Sequence, residues 1–242
     1  MKQLAFYLLF ITSSGFGQNI FQVISDKDYI KLEEMLRAGE PTEQYNEKGL
    51  TPLWIGVFKN DTTVVNLLIN YKADINLLEK KGMHPIMIGC IANSYECVRI
   101  LIENGADVNW RSSASLNQQP IRFASQGGSV KLVKLLLSQG ADMESSPDDK
   151  FTPLMAAIHA KKFDIAEYYF INNANVRVVS RDGETVIHEA IMSGSPAMVR
   201  LAIKYKAPLD IKTPNGKTTM QLAKQSGNAE IKELIKNALD SN

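Results

Sequence analysis

The apolar residues of this chain fall in short blocks that recur along its length. Val64, Val65, Leu67 and Leu68 form one block and Val130, Leu132, Val133, Leu135 and Leu136 another, both with the spacing of a single helix face. Ahead of each such block stands a polar-to-apolar switch that predicts the start of a companion helix: Thr51-Pro52-Leu53, His84-Pro85-Ile86, Gln119-Pro120-Ile121, Thr152-Pro153-Leu154, Thr185-Val186-Ile187 and Thr218-Thr219-Met220. Proline suits a first helical turn, because it lacks an amide hydrogen that would be unpaired there anyway and its φ is preset. The steps between these openings are 33, 35, 33, 33 and 33 residues. A second signal runs in phase after the second helices: Ala73-Asp74-Ile75-Asn76, Gly105-Ala106-Asp107-Val108-Asn109, Gly140-Ala141-Asp142-Met143, Asn173-Ala174-Asn175-Val176 and Lys206-Ala207-Pro208-Leu209.

Two further positions keep the same phase. A small residue follows each opening, at Gly56, Gly89, Ala124, Ala157, Ala190 and Ala223, where it lets neighbouring helices approach closely. Asn60, Asn93, Gly128, Lys161, Gly194 and Gly227 stand where a first helix ends, and all but Lys161 tolerate a left-handed terminating residue. One apolar stripe has no partner within its own unit, so units of this kind must stack to bury it.

These residues resemble the ankyrin repeat, a turn and two antiparallel helices with a T-P-L-H-x-A signature, over about residues 20 to 239. The resemblance implies an all-α solenoid of about seven units: 20–46, 47–79, 80–114, 115–147, 148–180, 181–213 and 214–242. The first lacks the opening motif, and the Lys- and Glu-rich stretch Glu230 to Leu239 suits a solvent-facing cap. Only His188 fills the histidine position of the signature, which elsewhere holds Trp54, Met87, Arg122, Met155 and Gln221. That histidine normally ties adjacent turns, so the turn network is where this chain departs most from the family.

Residues 1–17 read as a signal peptide preceding a repeat domain over 18–242: Lys2 is the only charge, Leu4 to Ile11 is an apolar run, and Gly15-Phe16-Gly17 places cleavage after Gly17. The alternative is an amphipathic first helix. A leader of this short style points to export across the inner membrane of a bacterium, to a periplasmic or secreted location. No later stretch has the length to span a bilayer, so no membrane insertion is expected after cleavage.

Charge narrows the choice of partner. Removing residues 1–17 leaves 26 basic and 26 acidic residues, so nothing favours nucleic acid or an anionic membrane. Cys90 and Cys97 are too few for a disulfide scaffold; they are either two buried thiols or one bridge between the helices of a single unit.

Catalytic and metal chemistry finds little footing. The chain has no GxSxG elbow, no GxxxxGK[ST] loop and no GxGxxG turn after a strand. His188-Glu189 resembles the beginning of a zinc-protease motif, but Met192 stands where the second histidine belongs. His84 reads as a partly exposed capping residue, and Asp148-Asp149 as a solvated loop tip. No cofactor, no metal and no enzymatic activity are expected.

Two positions per unit point into the groove that turns and first helices form in this architecture. They are Leu50, Met83, Gln118, Phe151, Glu184 and Lys217 before the openings, and Phe58, Ile91, Gln126, His159, Met192 and Gln225 at the first-helix ends. Leu50, Phe58, Met83, Ile91, Phe151 and His159 are the candidate partner-binding residues, the alternative for each being inter-unit packing or plain surface. Trp110 joins them because it opens the one lengthened turn, and insertions in repeat arrays map to loops on one face. Its alternative is a cover over Arg111 or the neighbouring turn. The expected role is non-catalytic recognition of another protein, which it binds, protects or inhibits, with the chain itself a monomer. A secreted effector acting on foreign-cell proteins and an enzyme with an unrecognised site are the other readings.

Overall fold

A computed structural model describes residues 19–113 and 116–241, so the leader assigned to residues 1–17 lies outside it. The described elements are helices in pairs. Seven first helices, α1 (Ile20–Asp26), α3 (Pro52–Phe58), α5 (Pro85–Ile91), α7 (Pro120–Gly127), α9 (Pro153–His159), α11 (Val186–Met192) and α13 (Thr219–Gln225), alternate with seven longer partners. Those partners are α2 (Tyr29–Arg37), α4 (Thr62–Asn70), α6 (Tyr95–Glu103), α8 (Val130–Ser138), α10 (Phe163–Ile171), α12 (Pro196–Lys204) and α14 (Ala229–Asp240). First helices pack on the first helices of adjoining units and second helices on second helices, giving a two-layer all-α solenoid.

Capping explains where each helix starts. The Thr51 and Thr152 hydroxyls accept from the amides of Trp54 (3.1 Å) and Met155 (3.3 Å), each with proline at the next position. Asp61, Ser129, Ser195 and Asn228 do the same for second helices. The first unit lacks the opening motif yet holds both helices, because Asn19 supplies the cap by accepting from Gln22 N at 2.9 Å.

The small position after each opening is set by contact distance. A Cβ built on Gly89 would lie 2.6 Å from Val98 Cγ2 and 3.0 Å from Val57 Cγ1, so α5 sits too close to α6 and α3 for any side chain. The first-helix ends differ from expectation at one unit. Asn60, Asn93, Lys161, Gly194 and Gly227 all take positive φ, and Lys161 accepts it at +57° despite its side chain. Gly128 instead is extended at φ −81°, ψ −155°, because α7 runs one residue further. Its glycines serve proximity: a Cβ on Gly127 would meet the Ile91 carbonyl oxygen at 2.5 Å.

The turn network is present although most of its signature histidines are not. Backbone bonds join consecutive turns, from Lys80 N to Gly49 O (3.0 Å), Asp148 N to Leu116 O (3.1 Å) and Arg181 N to Asp149 O (2.8 Å). His188 behaves as the family pattern requires: its Nδ1 accepts from Thr185 N (3.3 Å) and its Nε2 reaches Ile211 O (3.1 Å). His84 does equivalent work from the first motif position and is fully buried, which corrects its reading as partly exposed. Its Nδ1 accepts from Ile86 N (3.3 Å), which leaves Nε2 as the donor to Asn76 Oδ1 (3.0 Å).

Cys90 and Cys97 are free buried thiols, and burial pushes the Cys97 thiol up to about 12. A second buried polar pair, Ser125 Oγ and Tyr169 OH at 2.7 Å, ties α7 to α10.

Two outcomes follow from these contacts. Gly89→Ala places a methyl against two valines in the core, and even with the better helix propensity of alanine it should cost about 1–2 kcal/mol in urea denaturation. The second concerns acid. Burial lowers His84 to about 4, below its unfolded value of 6.5, so the stability it contributes is complete above pH 6.5 and lost as pH falls toward 4. Protonation would put a hydrogen on the ring nitrogen that must accept from Ile86 N. The loss should reach about 3 kcal/mol, and His84→Thr, scored by urea midpoints across the same pH range, should abolish that part of the acid sensitivity.

Candidate partner-binding face

The first-helix ends bring one register position to the surface in successive units. Phe58 (51% exposed), Ile91 (36%) and Met192 (48%) keep large apolar side chains in water at that position, and His159 shares it. Phe58 stacks on Trp54 with centroids 5.3 Å apart, and both line a cavity of about 690 Å³ with Leu50, Phe21 and Tyr45. Leu50 is half-buried there. Met83 is half-buried against the core, so inter-unit packing claims much of its surface.

Further along, a polar chain crosses three units. Arg122, at the signature's histidine position on α7, is 8% exposed, and its Nη1 contacts Asp149 Oδ1 (2.8 Å) and Oδ2 (2.6 Å) in the next turn. Asp149 is therefore a half-buried counter-ion, while Asp148 is the exposed member of that pair and accepts from Asn117 Nδ2. The Arg122 guanidinium lies 4.9 Å from the ring centroid of Phe151, and the Phe151 and His159 rings meet edge to face with centroids 6.1 Å apart. His159, the last residue of α9, presents most of its ring to solvent and points Nδ1 at Glu189 Oε2, 3.2 Å away on α11.

Glu189 is 2% exposed. Burial raises its pKa, and hydrogen bonding and repulsion from Glu184 raise it further, against a lowering influence of Arg122. Thus Phe151 and His159, chosen separately from the sequence, meet in one cluster with Arg122, Asp149, Glu184 and Glu189, none of them a candidate contact in the sequence, and Asp149 is no solvated loop tip. A signal existed for two of them. An arginine in a motif position facing the next turn demands a counter-ion, and a glutamate among Ile187, Ala190 and Ile191 demands a hydrogen-bond partner.

Trp110 sits elsewhere. It is half-buried on the core, with its ring 4.9 Å from that of His84 and its indole Nε1 sealed without a hydrogen-bond partner. It covers the neighbouring turn, while the lengthened loop beyond it closes through a Ser112–Gln118 bridge and exposes Leu116 at 44%.

No described helix is long and apolar enough to cross a membrane, and the described residues gather no group of three or more metal-ligating side chains. Short helix pairs stacked into a two-layer array, with an apolar row along the first helices, define a repeat solenoid. The chain belongs to the ankyrin repeat family, described as Ankyrin repeats (3 copies), which matches residues 20–112 and 161–242. Such repeats are protein–protein interaction modules.

Among solved structures, the human ASB11 ankyrin repeat domain superposes with a TM-score of 0.81 at 18% identity, over 92% of this chain and 98% of that one. An ankyrin repeat domain from Acinetobacter baumannii AYE gives 0.66 at 26% identity, over 77% and 97% of the respective chains. Phosphocholine transferase AnkX of Legionella pneumophila is 35% identical over 79 residues, which is 32% of this chain and 8% of that protein. The chain spans a tenth or less of the length of the first curated relatives it matches.

The Arg122–Asp149 pair predicts a sharp difference between neighbouring aspartates. Asp149→Ala strands a buried guanidinium and should cost about 3 kcal/mol in chemical denaturation, whereas Asp148→Ala should cost under about 1 kcal/mol.

Proposed function

We propose that this protein acts without catalysis as a binding partner for another protein, held along its first-helix face and exported to the cell envelope or beyond. The observation that carries the reading is the register-repeated exposure of Phe58, Ile91 and Met192. Scattered apolar residues are ordinary on any surface, but one position per unit places them in a line, which is the arrangement a bound segment can follow. Phe151 and His159 extend that line into the polar cluster, and Leu50 widens it at the Phe58 end. Trp110 lies off that line, half-buried over His84 at the base of the lengthened turn, and is a second contact point there.

The envelope assignment rests on the apolar run Leu4 to Ile11 with its small-residue end at Gly17. Within that reading the protein holds, protects or inhibits its partner. The absence of catalysis rests on the family: the repeat fold is typically a non-catalytic binding module, and relatives that are enzymes are far longer than this chain.

The test is capture from an envelope extract with the wild-type chain beside a Phe58→Asp, Ile91→Asp variant, with both baits first shown to have the same helical circular dichroism. Both substitutions replace partly exposed side chains, so the fold should survive. A protein retained by wild type and reduced at least tenfold by the variant is the expected result. Equal capture by both baits removes the first-helix row as the contact surface.

A further inference from the structure

Between α12 and α14, at the last unit boundary, lies a cavity of about 1030 Å³. Its floor is aliphatic: Ile203, Ala207, Leu209, Leu234 and Leu239 line it, and Leu239 remains 39% exposed. Its rim is basic. Arg177 from the preceding unit, Arg200 and Lys204 from α12, and Lys206 from the turn after α12 all line it, against one acid, Asp210. None of the first-helix row takes part, so the cavity lies apart from the binding face described above.

The charge has a readable origin in the repeat. After the alanine that follows each second helix, three earlier units place an exposed aspartate, at Asp74, Asp107 and Asp142. At this boundary Pro208 fills that position, so the carboxylate is gone while the cations remain. Lys206 holds φ at +58°, where two other units use Gly105 and Gly140. A side chain carries strain there that glycine avoids, so the turn itself does not call for a lysine. Arg200 pairs with Glu230 (2.6 Å) and Lys204 with Glu167 (3.7 Å), both at exposed positions where such pairs are weak and exchange readily. Arg177 and Lys206 enter no ion pair among the described residues.

We propose that this cavity is a separate docking site for an acidic protein segment, whose aliphatic side chains reach the floor at Leu234 and Leu239 while its carboxylates meet Arg177, Lys204 and Lys206. Charge complementarity selects the occupant. The cations come from three separate elements, so a ligand with a single carboxylate leaves most of them unmet, whereas a segment bearing several answers them together. The floor is recessed between two helices, out of reach of a flat bilayer surface. Outside residues 1–17 the chain carries 26 basic and 26 acidic residues, which gives no long-range pull toward anionic lipid. An amphipathic helix laid apolar side down is the binding mode that suits such a groove.

The site shares no residue with the first-helix row, so it stands or falls apart from the proposed function. The experiment is an NMR titration of the isotope-labelled full chain with two acetylated, amidated peptides of about twelve residues. One is built of glutamate and leucine with the leucines on one helical face, and the other has glutamine in place of glutamate. Amide shifts should saturate at residues 203–210 and 234–241, and the glutamine peptide should bind at least about fivefold more weakly. Arg177→Gln combined with Lys206→Gly should weaken the glutamate peptide by a similar factor and leave the glutamine peptide unchanged. Both positions are exposed, and glycine suits the positive φ at 206, so the fold should hold. Equal binding of the two peptides overturns the proposal, and so do saturable shifts confined to the Phe58 row or the lack of any. Sedimentation of the chain with phosphatidylglycerol vesicles, lost in the double variant and without peptide binding, also overturns it by assigning the rim to a lipid surface. Should the double variant not fold, comparison of the two peptides on the wild-type chain decides.

Discussion

A helix of seven or nine residues does not hold together alone in water, because the cost of nucleating it is spread over too few hydrogen bonds. Every helix here before the last is of that length or close to it. What makes the structure possible is burial across unit boundaries: the stripe of one unit is covered by the stripe of the next, and the fully buried Val57, Met87, Ile121, Met155 and Ile187 belong to one continuous core. The other features answer to this requirement. The small residues let helices come close enough, the caps start each helix in the right phase, and positive-φ residues turn the chain back on time.

That logic explains why the fold was legible in the sequence and the polar site largely was not. Repetition multiplies a weak signal: a single Thr-Pro says little, but six openings with nearly constant spacing determine the helix starts, and the small position at Gly89 shows its reason in the Val98 contact. Glu189 is used once. Its neighbour His188 carries the repeated motif, while the glutamate's meaning depends on His159, thirty residues earlier, being folded against it. Trp110 and His84 show the same limit. His84 was read on its exposure and Trp110 on its place at the lengthened turn, and the stacked geometry makes one the cover of the other.

The histidine substitutions show that the family's turn-tying function is separable from the residue that usually performs it. His188 performs it from the fourth motif position and His84 from the first, both as neutral rings accepting at Nδ1. Arg122 reaches the next turn by an ion pair instead. Each solution brings its own chemistry into the interior: the imidazoles resist acid poorly, and the guanidinium cannot be left without its aspartate. Variation in signature residues therefore changes which conditions the array tolerates while leaving its shape intact.

The lengthened turn at 111–119 interrupts the otherwise regular spacing, and the family match pauses at residue 112 just where it begins. Yet this turn is bonded on both sides. Ser112 Oγ donates to Gly82 O of the preceding turn, Asn117 holds Asp148 of the following one, and the Gln119 side chain bridges Asn109 O and the Ser145 hydroxyl. End units of an array are covered on one side only, and the bonds of this turn add to the advantage of its central ones. Riveted at its midpoint, this one should fray inward from its two ends, so that its central units are the last surface to remain intact when the chain is partly undone.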